Sequence, residues 1–356
     1  VEGAGRWGTG PYQLVDGVST PKQRSDRLIL EANLDYWDPT RLPRLQRIVF
    51  DNTLGQQDAV ELVKSGEGQV DVVTGLSPLE TLRVAQSPFA KVVKTRGSLV
   101  TVLGLFNMRK AESPWRDVRL RQAVNYAINR ADLIRYAAKG NGVIIPTLVA
   151  AQGFGYDATL APYPFDPGKA RQWLREGGYP QGRPVILIAT KDLEVQATVV
   201  SKMLERAGFQ VELQILDAVA YNGKTLVSHL EQPPEQYTWD IALTAQVDVQ
   251  NFPVFNLYHW LALDGPYDWV MEQPELRQLY EQALSTVDRE RQQALIRQME
   301  QHTHDQAYFL SLYNPVALYA VNKAVEFVPY VSTILNLDET GVIDQHWSVR
   351  QTAQKP

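Results

Sequence analysis

Between Val185 and Ile215 the order of apolar patterns leaves the chain few folding options. Val185-Ile186-Leu187-Ile188-Ala189 carries no polar residue, as suits a strand covered on both faces. From about Glu194, Val199, Val200, Met203 and Leu204 recur at helical spacing, and Gly208 supplies a stop. Val211-Glu212-Leu213-Gln214-Ile215 then alternates like a strand. Strand, helix and strand within roughly thirty residues is a βαβ unit, whose strands pair in parallel. A further helix around Tyr221 to Leu230 and a strand, Asp240-Ile241-Ala242-Leu243-Thr244, extend it. The fold class is therefore α/β.

The rest of the chain fits around this sheet. Strands are expected at Tyr12–Val15, Arg27–Ala32, Leu45–Phe50, Val70–Val73 and Leu99–Leu103, with a helix from Gln56 to Ser65. Asp117 caps a helix whose Leu120, Val124, Ala127 and Ile128 share a face, Asn129 restarts it, and Gly140 ends it. Asp166-Pro167 opens another helix that closes at Gly177-Gly178. Helices follow near Pro274 and Asp288, then strands at Tyr308–Leu312 and Ala317–Val321. Gln351 to Pro356 reads as a loose tail.

The chain has 356 residues and a formal net charge of −5. That length accommodates two or three domains. The acidic balance and the lack of any basic run argue against nucleic acid as a partner. No apolar stretch reaches the roughly 18 residues needed to cross a bilayer. There are no cysteines, which excludes disulfides, thiolate metal sites and cysteine nucleophiles. The chain does not begin with Met, so it reads as a mature or trimmed product.

Gly3, Gly5 and Gly8 match G-x-G-x-x-G, the spacing of a dinucleotide loop. Such a loop follows a strand and opens a helix. Here nothing strand-like precedes Gly3, and Gly10-Pro11 leads into a strand, so the phosphate reading fails on context. His302-Thr303-His304 is the only histidine cluster, and residues two apart on a helix do not share a face. No G-x-S-x-G nucleophile elbow is present. The reading is of a protein that is not an enzyme, with no cofactor and no metal.

Residues 246–270 interrupt the regular pattern with Phe252, Phe255, Tyr258, Trp260, Tyr267 and Trp269 beside Asp248, Asn251 and Asn256. They follow a strand, where open α/β sheets place their ligands. Asp248 is either the carboxylate that meets a ligand amine or the cap of a turn. The aromatic residues are either core or the wall of a ligand site. Asp248, Asn251, Phe252 and Tyr258 are the expected ligand-binding residues, with Asn107 a further candidate near a crossover between lobes.

Several segments taken in order resemble the family 5 extracellular solute-binding proteins, the dipeptide-, oligopeptide- and nickel-binding receptors of ABC importers. These segments are Gly8-Thr9-Gly10-Pro11-Tyr12, Asn33-Leu34-Asp35-Tyr36-Trp37, Gly68-Gln69-Val70-Asp71, Phe106-Asn107, DVRLRQAVNYAINR from Asp117 to Arg130 and FDPGKARQWLREGG from Phe165 to Gly178. The resemblance implies a two-lobe, periplasmic-binding-protein-like fold of the class II type, closing about a hinge. Lobe one would be residues 1–107 with a return at 319–346, lobe two 108–318, and 347–356 the tail. It further implies capture of a small peptide-like, polar or aromatic solute between the lobes for an ABC permease. The protein would lie in the periplasm or at the cell surface, lipid-anchored in its full-length form.

Two departures qualify that picture. Family members carry an N-terminal portion before the GTGPY segment, so lobe one is expected to be incomplete and a separate N-terminal fragment becomes a possible partner. Peptide receptors also have a Trp shortly before an Asp in the segment matching AQVDVQNFP from Ala245 to Pro253. Here Gln246 takes the Trp position and Asp248 lies one step off. A truncated homologue serving as a partner-binding scaffold or a sensor domain, and an enzyme reusing the fold, are the alternatives.

Overall fold

The computed structural model describes residues 8–353, apart from Pro21, Glu67, 227–230 and Glu272. Gly3 and Gly5 of the opening glycine motif lie outside the described residues, as do the end of the helix expected to reach Leu230 and the last residues of the tail. The chain divides into two compact units. One takes the chain up to Thr95, Ala317–Tyr330 and everything from Ile334 onward; the other takes Arg96–Val316 and Val331–Thr333. Among the described residues no helix is long and apolar enough to cross a membrane.

The first unit opens with β1 (Tyr12–Asp16), β2 (Arg27–Ala32) and β3 (Arg47–Asp51), an antiparallel three-stranded sheet. Asn33 explains the GTGPY segment, because its Nδ2 donates to Gly10 O at 3.1 Å and its backbone N–H to Pro11 O at 2.8 Å. The glycine turn is thus tied to the end of β2 and leads into a strand, as its context required. Next come α1 (Gln56–Ser65), β4 (Val72–Val73), α2 (Thr81–Ala85) and β5 (Ala90–Lys94).

The second unit then runs from β6 (Val100–Phe106) through α3 (Val118–Ala127), α4 (Arg130–Ala137), β7 (Gly142–Ile144) and α5 (Pro167–Glu176). It continues with β8 (Pro184–Thr190), α6 (Glu194–Ala207), β9 (Gln210–Leu216), α7 (Ala218–Thr225) and β10 (Ile241–Val247). A π-helix spans Val254–His259, followed by α8 (Pro274–Ser285), α9 (Arg289–Asp305) and β11 (Phe309–Pro315). The chain returns to the first unit with β12 (Leu318–Asn322), β13 (Val325–Glu326), β14 (Gly341–Val342) and α10 (Trp347–Ala353). β12 sits between β4 and β5. Residues 347–353, expected as tail, are therefore helical.

The second unit's sheet has the order β7-β11-β6-β10-β8-β9. β8 pairs with β9 and with β10 in parallel, as the strand–helix–strand pattern requires. The sequence reading ended lobe one at residue 107, but β6 belongs to the second unit. Both of its neighbours, β10 and β11, come from that unit, and it pairs with each along its length. The division accordingly falls at Thr95 rather than at Asn107.

The helix caps fall where the sequence placed them. Asp117, Asn129 and Asp166 accept from the backbone N–H groups of Arg119, Asp132 and Lys169. α6 ends on Gly208 at φ 105°, a left-handed turn that suits glycine. Two arginines of the DVRLRQAVNYAINR stretch are buried and satisfied by carbonyls. Arg121 donates to Gln306 O and Trp115 O, and Arg130 to Ser311 O and Asn125 Oδ1. Arg121 binds α3 to the segment between α9 and β11, and Arg130 binds α4 to β11 itself. Burial lowers both guanidinium pKa values to about 10, so both remain charged at neutral pH.

Candidate functional site

The carboxyl ends of β8, β9 and β10 lie along one end of the second unit's sheet, because the three strands run parallel. Antiparallel β6 begins there, with Val247 opposite Val100. Two loops meet at this end. One follows β10, from Asp248 into the π-helix; the other follows β7, from Ile145 to Tyr156.

Asp248 fixes the first loop. Its N–H donates to Leu99 O at 2.9 Å, and its Oδ1 accepts from Phe252 N and from Asn256 Nδ2, each at 2.7 Å. It therefore caps the turn, the structural one of the two readings open from sequence. Burial raises its pKa, opposed by the bonds from Asn256 and Phe252. Asn251 takes φ 53°, a left-handed conformation that Asn tolerates better than most residues. Its Oδ1 accepts from Phe154 N at 2.6 Å and staples the two loops together. Asn251 itself stays exposed, and Phe252 is half-buried against the core.

The second loop is held from below. Thr101 Oγ1 donates to Leu148 O at 2.8 Å, Glu300 Oε2 accepts from Val149 N at 3.1 Å, and Asn314 Oδ1 accepts from Ala151 N at 3.4 Å. A Cβ on Gly97 would come within 2.5 Å of the Gln152 side chain, so the Gln152 amide lies directly on that backbone.

Two expected site residues are placed elsewhere. Tyr258 is 0 % exposed, and its hydroxyl donates to Glu300 Oε1 in the core. The π-helix turns this ring inward and leaves Phe255 exposed, stacked on His259 at 5.3 Å with the planes 8° apart. Asn107 lies at the opposite end of β6, because antiparallel pairing sets Phe106 against Ile241 while Val100 meets Val247. There it is fully buried, donating to Trp239 O and accepting from Lys110 N. Its neighbour Asp240, passed over in the sequence, accepts from Arg183 Nη2 at 2.6 Å and Ile186 N at 2.9 Å.

Glu300 and Asn314 were also missed. Glu300 carried a signal: it lies on the helical face of Ile296 and Thr303, both buried, so a charge there falls on an apolar stripe. His302 and His304 turn to different partners, the Tyr308 hydroxyl at 3.0 Å and the Tyr163 ring at 4.5 Å. Among the described residues no group of three or more His, Cys, Asp or Glu is placed to hold a metal ion.

Comparison with known proteins fits this architecture. Residues 5–268 match the family model described as bacterial extracellular solute-binding proteins, family 5 middle. The glutathione-binding protein GsiB of Escherichia coli (strain K12) is 26 % identical over 263 residues, 71 % of this chain and 48 % of that protein. The chain spans about half the length of the curated relatives it matches.

Among solved structures, the ABC transporter substrate-binding protein CtaP of Listeria monocytogenes has a TM-score of 0.78 at 19 % identity, covering 94 % of this chain and 66 % of that one. DppA of Helicobacter pylori, in complex with the peptide STSA, has a TM-score of 0.73 at 20 % identity, with coverages of 94 % and 63 %. NikA of Brucella suis, in complex with Fe(III)-EDTA, has a TM-score of 0.76 at 18 % identity, with coverages of 94 % and 68 %. These relatives are binding proteins and share a two-lobe α/β fold. By its sequence match over most of its length, the chain belongs to the bacterial extracellular solute-binding proteins of family 5.

Proposed function

We propose that this chain captures a small solute outside the cytoplasm and hands it to an ABC permease. The observation that carries the reading is the stapled loop from Asp248 to Phe252. It stands at the carboxyl ends of parallel strands and presents polar amides and a half-buried ring on a rigid base. Asn251 and Phe252 are the proposed contacts on this unit, with Asp248 holding the loop that carries them. Gln246 and Gln250 add further amide groups. Affinity arises from ring contact and a few placed hydrogen bonds on removal from water.

The solute class follows from charge. Asp248 is the only ionisable residue between Ala245 and Asn256, and its Oδ1 is spent within the turn. An uncharged, amide- or hydroxyl-bearing guest suits this loop better than a free amine. GsiB binds glutathione and the DppA structure holds a peptide, so a blocked or side-chain-linked peptide is the first probe.

Native mass spectrometry of the purified protein is the test. A retained small molecule, released on unfolding and lost in the Asn251→Ala variant, supports the reading. No retained solute, together with no thermal stabilisation by acetylated tripeptides, free tripeptides or glutathione, removes it. A second reading, a partner-binding subunit, is favoured by Leu34 and Trp37 of the first unit, which stand 86 % and 72 % exposed. A protein partner in the same spectrum, with no solute, selects that reading.

A further inference from the structure

Glu300 is a carboxyl group with no exposed surface, on α9 beneath the two loops just described. From the π-helix it meets the Tyr258 hydroxyl. From the loop after β7 it meets the backbone N–H groups of Val149, at 3.1 Å, and Leu148. The charged group that acts on it from the loop beyond is the Asp157 carboxylate, which is itself influenced by Arg297. Among the described residues, the groups that act on Glu300 are hydrogen-bond donors and the Asp157 carboxylate, with no cation to balance it. Its pKa is pushed up from 4.5 to about 7, chiefly by burial.

One more buried atom matters. Thr303 Oγ1, one helical turn along α9, is buried, and the group it meets is the Tyr258 hydroxyl. Two complete hydrogen-bond arrangements are therefore available. With Glu300 ionised, Tyr258 O–H donates to Oε1 and the Tyr258 oxygen accepts from Thr303 O–H. With Glu300 protonated, its O–H donates to the Tyr258 oxygen, and the Tyr258 O–H turns to Thr303 Oγ1. Oε2 accepts from Val149 N in both. Both arrangements satisfy the two hydroxyls, but only the protonated one buries no unbalanced charge at a side chain that is 0 % exposed.

We propose that Glu300, Tyr258 and Thr303 form a proton-operated latch that holds the Leu148–Val149 loop against the π-helix when Glu300 is protonated and loosens when it is ionised. The latch acts through the second unit alone and is independent of which solute is bound. Because both loops that carry Phe154 and Asn251 rest on it, the posture of the capture surface follows the pH of the surroundings.

Amide hydrogen exchange of the whole protein, followed at residues 145–156 and 252–262, is the test. Opening the latch exposes Glu300, so protection there falls about tenfold from pH 6 to pH 8 beyond any change in Glu300→Gln. Parallel pH dependence in the two proteins overturns the proposal. Infrared spectroscopy gives a second reading: a protonated carboxyl C=O band present at pH 6, fading towards pH 8 and missing from Glu300→Gln. A wild-type spectrum lacking that band at pH 6 overturns it as well. Where Glu300→Gln does not fold, Tyr258→Phe serves. It removes a donor to the carboxylate, so the midpoint of the wild-type transition moves to higher pH; an unmoved midpoint counts against the latch.

Discussion

Asn251 and Phe154, 97 residues apart in the chain, are joined by a 2.6 Å bond from the Phe154 N–H to Asn251 Oδ1. Asn251 combines this bond with φ 53°. Replacing it with Ala removes the acceptor and puts a Cβ residue with no local polar bond into a left-handed turn. The expected loss is about 1–3 kcal/mol for the stranded N–H, with about 1 kcal/mol more for the backbone. Asn251→Gly loses the bond but keeps the turn. Chemical denaturation should rank wild type above Gly, and Gly above Ala. An Ala variant as stable as wild type would show that the staple contributes nothing.

How much of this was legible beforehand depends on the range of the interaction. The caps at Asp117, Asn129 and Asp166 and the stop at Gly208 were readable because each is set by residues within a turn or two of one another, and the parallel pair because its strand, helix and strand follow directly in the chain. The division between units was misread because β6 is apolar on both faces wherever it sits, and only its partners β10 and β11, far along the chain, decide its sheet. Asn107 and Asp248 could not be told apart as neighbours or opposites without the register between β6 and β10. Tyr258 was drawn outward by an aromatic-rich loop; the π-helix, which no short-range pattern announces, rotated it inward and left Phe255 on the surface.

Arg130 shows what the most recognisable stretch of the sequence is for. Its guanidinium meets Ser311 O and Asn125 Oδ1, each at 2.7 Å, and Tyr163 O at 3.2 Å. Lys keeps the charge but cannot present a planar fork to separated acceptors. Arg130→Lys should cost about 3 kcal/mol or more, as expected for a buried charge with poor partners. The measurement is the midpoint of urea unfolding; a shift within error of wild type would mean that water replaces the missing donors.

Gly265 and Gly223 make a matched pair. A Cβ on Gly265 would meet His259 O at 2.2 Å and Trp260 Cα at 2.4 Å, all backbone at the end of the π-helix. Gly265→Ala should therefore cost about 2 kcal/mol and shift the exposed Phe255–His259 stack. Gly223 lies within α7 with nothing inside 4 Å of its Cβ position. Gly223→Ala should stabilise by about 0.5–1 kcal/mol, since Ala favours a helix interior. Equal effects from the two variants would refute the steric argument.

Glu300 gives the pH dependence of folding its sign. Burial raises its pKa from 4.5 to about 7, so between those values the native chain holds a proton that the unfolded chain has released. Wherever the native state binds more protons, stability falls as pH rises. The contribution of Glu300 is complete below pH 4.5, declines up to pH 7 and is flat above it, a change of about 3 kcal/mol in all. Asp248, also raised by burial, acts in the same direction but persists in Glu300→Gln. Subtracting the unfolding free energies of the two proteins at each pH isolates Glu300. A difference that declines from pH 5 to pH 7 and then levels supports the assignment, whereas a difference constant across that range would mean that Glu300 is ionised throughout.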